Sequence, residues 1–311
     1  MKRKLLILLT ALLLAVSALL GQRLEPVPDA LAAAGGTAHT VLPPVQHYTG
    51  AQTAGQYISG NNRATNGPGA QPVIDDTVKF DFDAFYLGSL CSESGYTLED
   101  FTGEQLVIAR AFGDGTEAHL FFFEKADGKW RQASGIVSGE PGNRLVSTHV
   151  FMGREGTGPL ADDYHAYSPV GLYSLGPCFG KYELTGLKMD YFVITDKHRW
   201  VGDHSSQYYN KPVVVVPPEG FTKNPADTYP VIEVPAAEAT WNFALDEHLI
   251  EYLPNYDYSI FIQYHVGCAY FIHVKYMTTG GCIGLERETM YNLMYWIDQS
   301  KNPQILIYTV D

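Results

Sequence analysis

The residues best suited to chemistry lie near the end of the chain, where Cys282 follows a glycine pair and His273 stands nine residues earlier. A thiolate is a strong nucleophile, and a neighbouring imidazole can take the thiol proton. The sequence predicts a helix that begins directly after Cys282, so that its unpaired first amides favour the thiolate. The backbone amides of Gly281 and Cys282 are expected to form an oxyanion hole. The pattern therefore predicts a cysteine nucleophile with His273 as its base.

A metal site is the first alternative for the same residues. His273 is expected on a strand over residues 268–274, where side chains alternate between the two faces. On that pattern Phe271 and His273 share one face, and Cys268 points to the other. The residues of zinc-binding type in this region are His265, Cys268, His273 and Cys282. Because Cys268 and His273 are expected on opposite faces, no metal or other cofactor is predicted. Taken singly, Cys282 would be an inert buried thiol and His273 a hydrogen-bonded core residue.

The elements around this pair are predicted to be mainly strands, so the fold class is mostly β, a β-rich α+β protein with a few short helices. Asp127-Gly128 separates two alternating runs and is a strong hairpin signal, because both turn residues need positive φ. Apolar spacing predicts helices over 237–252 and 286–298. Alternation predicts a strand over 78–87, and strand-like runs predict further strands over 105–112, 118–125, 129–136, 172–175, 191–194, 258–264, 268–274 and 304–310.

Composition and the first residues limit the compartment and the partners. The chain has 311 residues and a net charge of −13, which gives no scaffold for nucleic-acid contacts. Residues 1–21 have a basic head and an apolar core, so they predict a secretory signal or N-terminal anchor. Residues 22–75 are predicted to be a flexible Ala/Gly/Pro-rich linker, 76–103 an N-terminal extension and 104–311 the catalytic domain. The domain is thus expected outside the cytoplasm, with membrane contact through the N-terminal segment alone.

The cysteines set one further constraint. An even count in an exported protein favours disulfides by default. With Cys282 reserved as a free nucleophile, at most one pair can form among the remaining three, and the sequence leaves open which residues pair: Cys91, Cys178 and Cys268.

Several ordered stretches resemble the L,D-transpeptidase catalytic-domain family of bacterial cell-wall enzymes. That family carries a histidine on a strand and then Ser/Thr-x-Gly-Cys, which are matched here by His273, Thr279, Gly281 and Cys282. The Thr-x-Gly-Cys-Ile-x-Leu form is similar to a shorter branch of the family. Gly280 stands where a histidine is frequent, and Gly284 stands where an arginine is frequent.

Two upstream stretches extend the resemblance over residues 104–311 in the family's order. Residues 167–176 resemble a Thr-Pro-x-Gly-x-aromatic stretch, and Phe179-Gly180 follows in the expected place. Residues 200–210 resemble a Trp-x-x-Asp-x-x-Ser-x-Tyr-Tyr-Asn stretch. Several ordered matches are more specific than one Gly-Cys pair.

The resemblance implies an L,D-transpeptidase-like β-sandwich whose cysteine lies in a cleft between sheets, at a strand-turn-helix junction. It implies that Cys282 attacks a peptidoglycan tetrapeptide stem, releases D-alanine and forms a thioester, which the amine of a neighbouring stem converts into a 3→3 cross-link. His273 would act as base and then acid, beside the amide of Gly281 and the side chain of Thr279. The residues expected to line the substrate cleft are Trp200, Tyr208 and Tyr209.

Three other functions remain open at this point. With water as the acceptor, the protein would be an L,D-carboxypeptidase. A different peptidoglycan cysteine hydrolase would use the same nucleophile on another bond. A catalytically inactive wall-binding module is favoured by Gly284, because a substrate-reading arginine is frequent at that position in the family.

Overall fold

The computed structural model of the protein describes residues 80–159 and 161–310. The predicted signal or anchor segment 1–21, the linker 22–75 and the first residues of the extension 76–103 lie outside the described residues. Within the described part of the chain, no helix is both long and apolar enough to cross a membrane.

The described residues are mostly β, as predicted. The helices are α1 (Phe82–Ser94) and α2 (Arg287–Trp296), and short 3-10 turns occupy Leu98–Asp100, Phe243–Leu245, Leu249–Tyr252, Asn255–Asp257 and Gln299–Lys301. The strands are β1 (Gln105–Phe112), β2 (Glu117–Ala126), β3 (Lys129–Gln132), β4 (Thr148–Phe151), β5 (Thr157–Gly158), β6 (Ser168–Pro169), β7 (Gly171–Gly180), β8 (Tyr191–Val193), β9 (His198–Trp200), β10 (Pro212–Val216), β11 (Ile232–Pro235), β12 (Glu247–His248), β13 (Tyr258–Ile262), β14 (Phe271–Val274), β15 (Ile283–Leu285) and β16 (Gln304–Val310).

The large sheet closes on itself, because β1 pairs with β16 on one side and with β2 on the other. The closed ring runs β1-β16-β7-β13-β14-β15-β4-β2. Outside the ring, β3 pairs with β2 and β8 pairs with β7. The large sheet thus forms an eight-stranded barrel in place of the expected β-sandwich. The hairpin between β2 and β3 is confirmed, with φ of 51° at Asp127 and 74° at Gly128.

Apolar side chains from all eight ring strands fill the inside of the barrel. They are joined by one face of α2, whose Met290, Leu293, Met294 and Ile297 are fully buried in the same cluster. The helix predicted over 286–298 is confirmed, and its i, i+3, i+4, i+7 spacing is the face that packs inward. Ile272 and Ile283 also point inside, which fixes the opposite side chains of β14 on the outer face.

The outer face of β1, β2 and β16 is covered by α1, a helix where the sequence predicted a strand over 78–87. The Asp81 side chain accepts a hydrogen bond from the Ala84 amide at 3.1 Å and caps the helix start, and Gly95 ends the helix with φ of 77°. Leu87 and Leu90 are buried against the barrel. The alternation ends at Ala84, because residues 84–87 are all apolar, and the Asp81 cap favours a helix.

The outer face of β13 and β14 faces a second sheet of four strands in the order β11-β10-β9-β12. Trp200 of β9 is fully buried there, with its ring 4.6 Å from that of Phe261 and 4.8 Å from that of Phe271. The helix predicted over 237–252 is wrong, because this segment makes two 3-10 turns around β12, which pairs with β9. Tertiary pairing with β9 thus overrides the local helical spacing.

The packing of α1 gives a direct test of this part of the fold. We expect Leu87→Ala to lower the free energy of unfolding by about 3 kcal/mol, because it removes a fully buried side chain from the cluster under α1. Phe85→Ala on the same helix is the matched control, since Phe85 is 46% exposed. Urea denaturation followed by tryptophan fluorescence measures both. Equal losses for the two variants would contradict this packing.

Candidate active site

The site lies on the outer face of β14 and β15, which run parallel with Ile272 opposite Ile283 and His273 opposite Gly284. Extending that register by one pair places Cys282 beside Phe271, and the Phe271 amide donates to Cys282 Sγ at 3.3 Å. Since the isoleucines point inside, Phe271, His273 and Cys282 all point outward. The predicted face of His273 is confirmed, and it is shared with the cysteine.

The helix expected directly after Cys282 is absent at that position, and the prediction is wrong. Residues Ile283–Leu285 form β15 instead, and α2 begins at Arg287 with Glu286 as its N-cap. The amides of the first helical turn are satisfied by the Glu286 carboxylate, which accepts from Glu288 and Thr289. The helix terminus therefore does not favour a thiolate at Cys282, and the motif is strand-turn-strand.

The turn before the cysteine is held by two hydroxyl groups. Thr279 Oγ1 accepts from the Gly281 amide at 3.1 Å and lies 2.6 Å from the Cys282 carbonyl oxygen as a donor. Ser168 Oγ donates to the Gly281 carbonyl at 2.8 Å. Gly281 has φ of 133°, and a Cβ there would lie 2.6 Å from the Tyr270 ring. Only glycine fits this position without strain.

These bonds change the predicted roles of two residues. The Gly281 amide is engaged within the turn, so it does not point at an oxyanion in this conformation. Thr279 is 6% exposed and builds the turn. Among the described residues, the Cys282 amide donates no backbone hydrogen bond to another residue, so it remains available as a donor on the residue that carries the thiol.

The thiol of Cys282 is protonated in this environment. Its Sγ lies 3.4 Å from the Ala269 carbonyl oxygen, to which the S–H donates. Burial and then the negative charge of Glu247 raise the pKa of the thiol, while the Phe271 amide and Lys275 act in the opposite direction with smaller effect. The thiolate predicted at neutral pH is therefore not the ground state.

His273 is buried and neutral. Burial lowers the pKa of His273 to about 4, although backbone hydrogen bonds of Val274 and Asn255 oppose the shift. Its Nδ1 lies 3.1 Å from the Val274 carbonyl oxygen. A carbonyl can only accept, so Nδ1 bears the proton and Nε2 is the basic nitrogen. The Tyr256 ring packs edge-on against the imidazole, with 5.1 Å between the ring centroids.

Cys282 and His273 line one pocket of about 430 Å³ between the barrel and the second sheet. Glu247 of β12 lines the same pocket from the opposite side, and Tyr256 donates a 2.5 Å hydrogen bond to its Oε2. Burial raises the pKa of Glu247 to about 7, and the bond from Tyr256 offsets part of that rise. In the sequence, Glu247-His248-Leu249 adds to the family resemblance, but Glu247 has no predicted site role, because its approach to the thiol depends on the pairing of β12 with β9.

The two other acidic residues that line the pocket, Asp162 and Asp163, already accept hydrogen bonds from protein groups. Asp162 Oδ1 accepts from the amides of Tyr164 and His165. Asp163 has three bonds: it accepts from the Cys268 amide at 2.7 Å and the Tyr209 hydroxyl at 3.0 Å, and it lies 2.6 Å from His204 Nε2.

Two cationic side chains of the pocket differ from these acids, because they are free to bind a ligand. Arg154 and Lys275 both line it, and neither is in an ion pair with any described residue. Arg154 is exposed and lies beside Gly280 of the turn that precedes Cys282. They bring positive charge to the pocket, although Gly284 carries none. No residue pattern around Arg154 indicated this position, which depends on the bridge between Gly153 and Thr279.

The aromatic residues predicted to bind substrate do not line the pocket. Trp200 is fully buried, and its Nε1 donates to Asn210 Oδ1 at 2.9 Å. Tyr208 packs against Trp241 in a separate cluster. Tyr209 lies behind the pocket wall, where it bonds Asp163 and stacks on His204 at 4.2 Å between ring centroids.

The 200–210 stretch instead builds one wall of the site through Asn210. Its Nδ2 donates to the carbonyls of Tyr264 and Gly267, and its Oδ1 accepts from the Ala269 amide. These bonds hold the loop before β14, including the Ala269 carbonyl that faces the thiol. Ala269 itself has φ of 59°, a left-handed conformation that this network maintains.

All four cysteines are free thiols. Cys91 lies on the buried face of α1 and Cys178 lies inside the barrel, so these two occupy different clusters. Cys268 lines the same pocket as His273 and Cys282, since β14 begins at Phe271 and residue 268 lies in the preceding loop. The prediction that Cys268 faces away from His273 is therefore wrong. His265 also lies outside any strand.

No protein-family model matches the chain, and neither the curated proteins nor the solved structures include a significant match.

The electrostatics of the pocket predict how the thiol reacts. We expect Glu247→Gln to raise the rate of Cys282 alkylation by iodoacetamide at pH 8 by roughly threefold to tenfold. Loss of the negative charge lowers the thiol pKa, and one pKa unit changes the thiolate fraction tenfold. Peptide mass spectrometry separates Cys282 from Cys268. Glu251→Gln, an exposed acid on the neighbouring turn, is the matched control.

For wild type, the alkylation rate should keep rising as the pH is increased above 8, because the thiol pKa is raised. A rate that levels off below pH 8, or equal rates in both variants, would contradict these electrostatics.

Proposed function

We propose that this protein is an L,D-transpeptidase that transfers peptidoglycan stem peptides through a thioester on Cys282. The observation on which the proposal depends is the position of Cys282 and His273 on one face of adjacent parallel strands, in a pocket with open cations. A pocket of about 430 Å³ has room for a short peptide segment. The motif resemblance supplies the substrate class.

The ground state supports a neutral thiol-imidazole pair. Cys282 is protonated and His273 is uncharged, so neither the thiol nor the imidazole carries a buried charge before substrate binds. On attack, the thiol proton passes to Nε2 of His273 as the S–C bond forms at the stem carbonyl. The Val274 carbonyl stabilises the resulting imidazolium through Nδ1. The proton then goes to the leaving amine, and D-alanine departs.

The tetrahedral intermediate needs a donor for its oxyanion. The Cys282 amide, on the residue that carries the thiol, donates no backbone hydrogen bond to another described residue and is our candidate. The Gly281 amide joins it if Thr279 Oγ1 releases it during the reaction, a small rearrangement within the turn.

A non-catalytic module that binds the same peptides is the second candidate. It is favoured by the raised pKa of Cys282, since burial alone would keep such a thiol unreactive. The experiment below separates the two candidates.

The test is release of D-alanine from disaccharide tetrapeptide by the full-length protein. We expect release by wild type, loss of at least a thousandfold in Cys282→Ala, and retained activity in Cys268→Ala, which changes the other thiol of the same pocket. A carbapenem should add its mass to the peptide containing Cys282. If wild type releases no D-alanine above Cys282→Ala and forms no adduct, the proposal is wrong.

The cations without ion-pair partners, Arg154 and Lys275, predict how the donor peptide is recognised. We expect wild type to prefer a tetrapeptide with a free terminal carboxylate over its C-terminal amide, and Arg154→Ala to reduce that preference by roughly tenfold, equivalent to about 1.4 kcal/mol. The ratio of kcat/KM for the two substrates is the measurement. Lys181→Ala removes an exposed cation elsewhere and should leave the preference intact. An unchanged ratio in Arg154→Ala would exclude this role.

A further inference from the structure

Glu247 is an ionisable residue of the pocket that has no role in the proposed thiol-imidazole chemistry. It projects from β12, the edge strand of the second sheet, towards the face of the barrel that presents Cys282. Its charge acts on the thiols of both Cys282 and Cys268, which places the carboxylate within electrostatic reach of the nucleophile.

The hydrogen bonds of Glu247 leave it available for a ligand. Its Oε2 accepts from the Tyr256 hydroxyl, and no described residue donates to its Oε1. The neighbouring acids differ, because Asp162 and Asp163 are each held by backbone amides and side chains of their own wall. A carboxylate with an open oxygen opposite a thioester is placed to bind an ammonium group.

We propose that Glu247 is the catalytic residue that binds the acceptor amine and removes its proton before the amine attacks the thioester on Cys282. The inference depends on the proposed transpeptidase function. It assigns the amine-handling role to the second sheet, and it leaves thiol activation to His273 on the barrel.

The protons balance over a full cycle. The acceptor arrives as an ammonium and gives one proton to the Glu247 carboxylate, and its lone pair then attacks the thioester carbon. The C–N bond forms, the C–S bond breaks, and the second amine proton returns to sulfur through His273. The next D-alanine leaves as a neutral amine, takes the proton from Glu247 and departs as an ammonium, which restores the carboxylate.

The environment of the carboxylate agrees with this role. A base that titrates near the working pH is the most effective in proton transfer, and burial raises the pKa of Glu247 to about 7. The ionisable groups that face it are Tyr252, Tyr256, Cys268 and Cys282, of which the tyrosines and thiols all have pKa values raised by burial. Lys275 lines the same pocket.

The test compares aminolysis with hydrolysis of the acyl-enzyme. Full-length wild type, Glu247→Gln and the control Glu251→Gln receive tetrapeptide donor with a lysine-type acceptor, or with hydroxylamine, which is already uncharged at pH 7. We expect Glu247→Gln to form the Cys282 acyl-enzyme and to hydrolyse it within threefold of wild type, while cross-linked product falls at least tenfold. Hydroxylamine should restore aminolysis in this variant to the wild-type level.

The possible outcomes separate a catalytic role of Glu247 from a structural one. Glu247→Asp retains the carboxylate and should form more cross-linked product than Glu247→Gln, which separates chemistry from folding. If Glu247→Gln loses hydrolysis and aminolysis equally, or if hydroxylamine fails to rescue it, Glu247 is a structural residue and the inference is overturned. If wild type forms no acyl-enzyme on Cys282, the transpeptidase proposal fails first, and the inference fails with it.

Discussion

The site depends on the parallel pairing of β14 with β15. That ladder places Ile272 beside Ile283 inside the barrel, and it thereby directs Phe271, His273 and Cys282 to the outer face. Since side chains alternate along a strand, a slip of one residue in either strand would put the thiol and the imidazole on opposite faces. Fully buried isoleucines make such a slip costly, so the interior packing fixes the geometry of the outer site.

The pocket formed on that face keeps the Cys282 thiol and the His273 imidazole uncharged at rest. Charges are expensive to bury, and the thiol and imidazole respond by shifting their pKa values in opposite directions. The nearest anion, Glu247, adds to the shift of the thiol. A reaction at Cys282 would therefore separate charge only when substrate arrives. The Val274 carbonyl oxygen already lies beside Nδ1 of His273, where it would stabilise an imidazolium.

The motifs noticed in the sequence act mainly as supports. Ser168 holds the carbonyl of Gly281, and Thr279 bonds the backbone on both sides of that glycine. Asn210 holds the loop that brings the Ala269 carbonyl to the thiol, and Trp200 packs the second sheet onto the outer face of the barrel. These residues restrict the backbone around Cys282 and contribute little surface to the pocket itself.

The sequence by itself determined the features that depend on local interactions. The positions of β1 and β16, the Asp127-Gly128 hairpin, the inward face of α2 and the outward face of His273 all follow from strand-like apolar runs, strand and helix periodicity or turn chemistry. The tertiary structure decided what depends on residues far apart in the chain. It closed the sheet into a barrel, replaced the expected helix after Cys282 with β15, and brought Glu247 and Arg154 to the thiol. Those outcomes follow from strand pairing and burial, because long-range contacts select among conformations that local propensity leaves nearly equal in free energy.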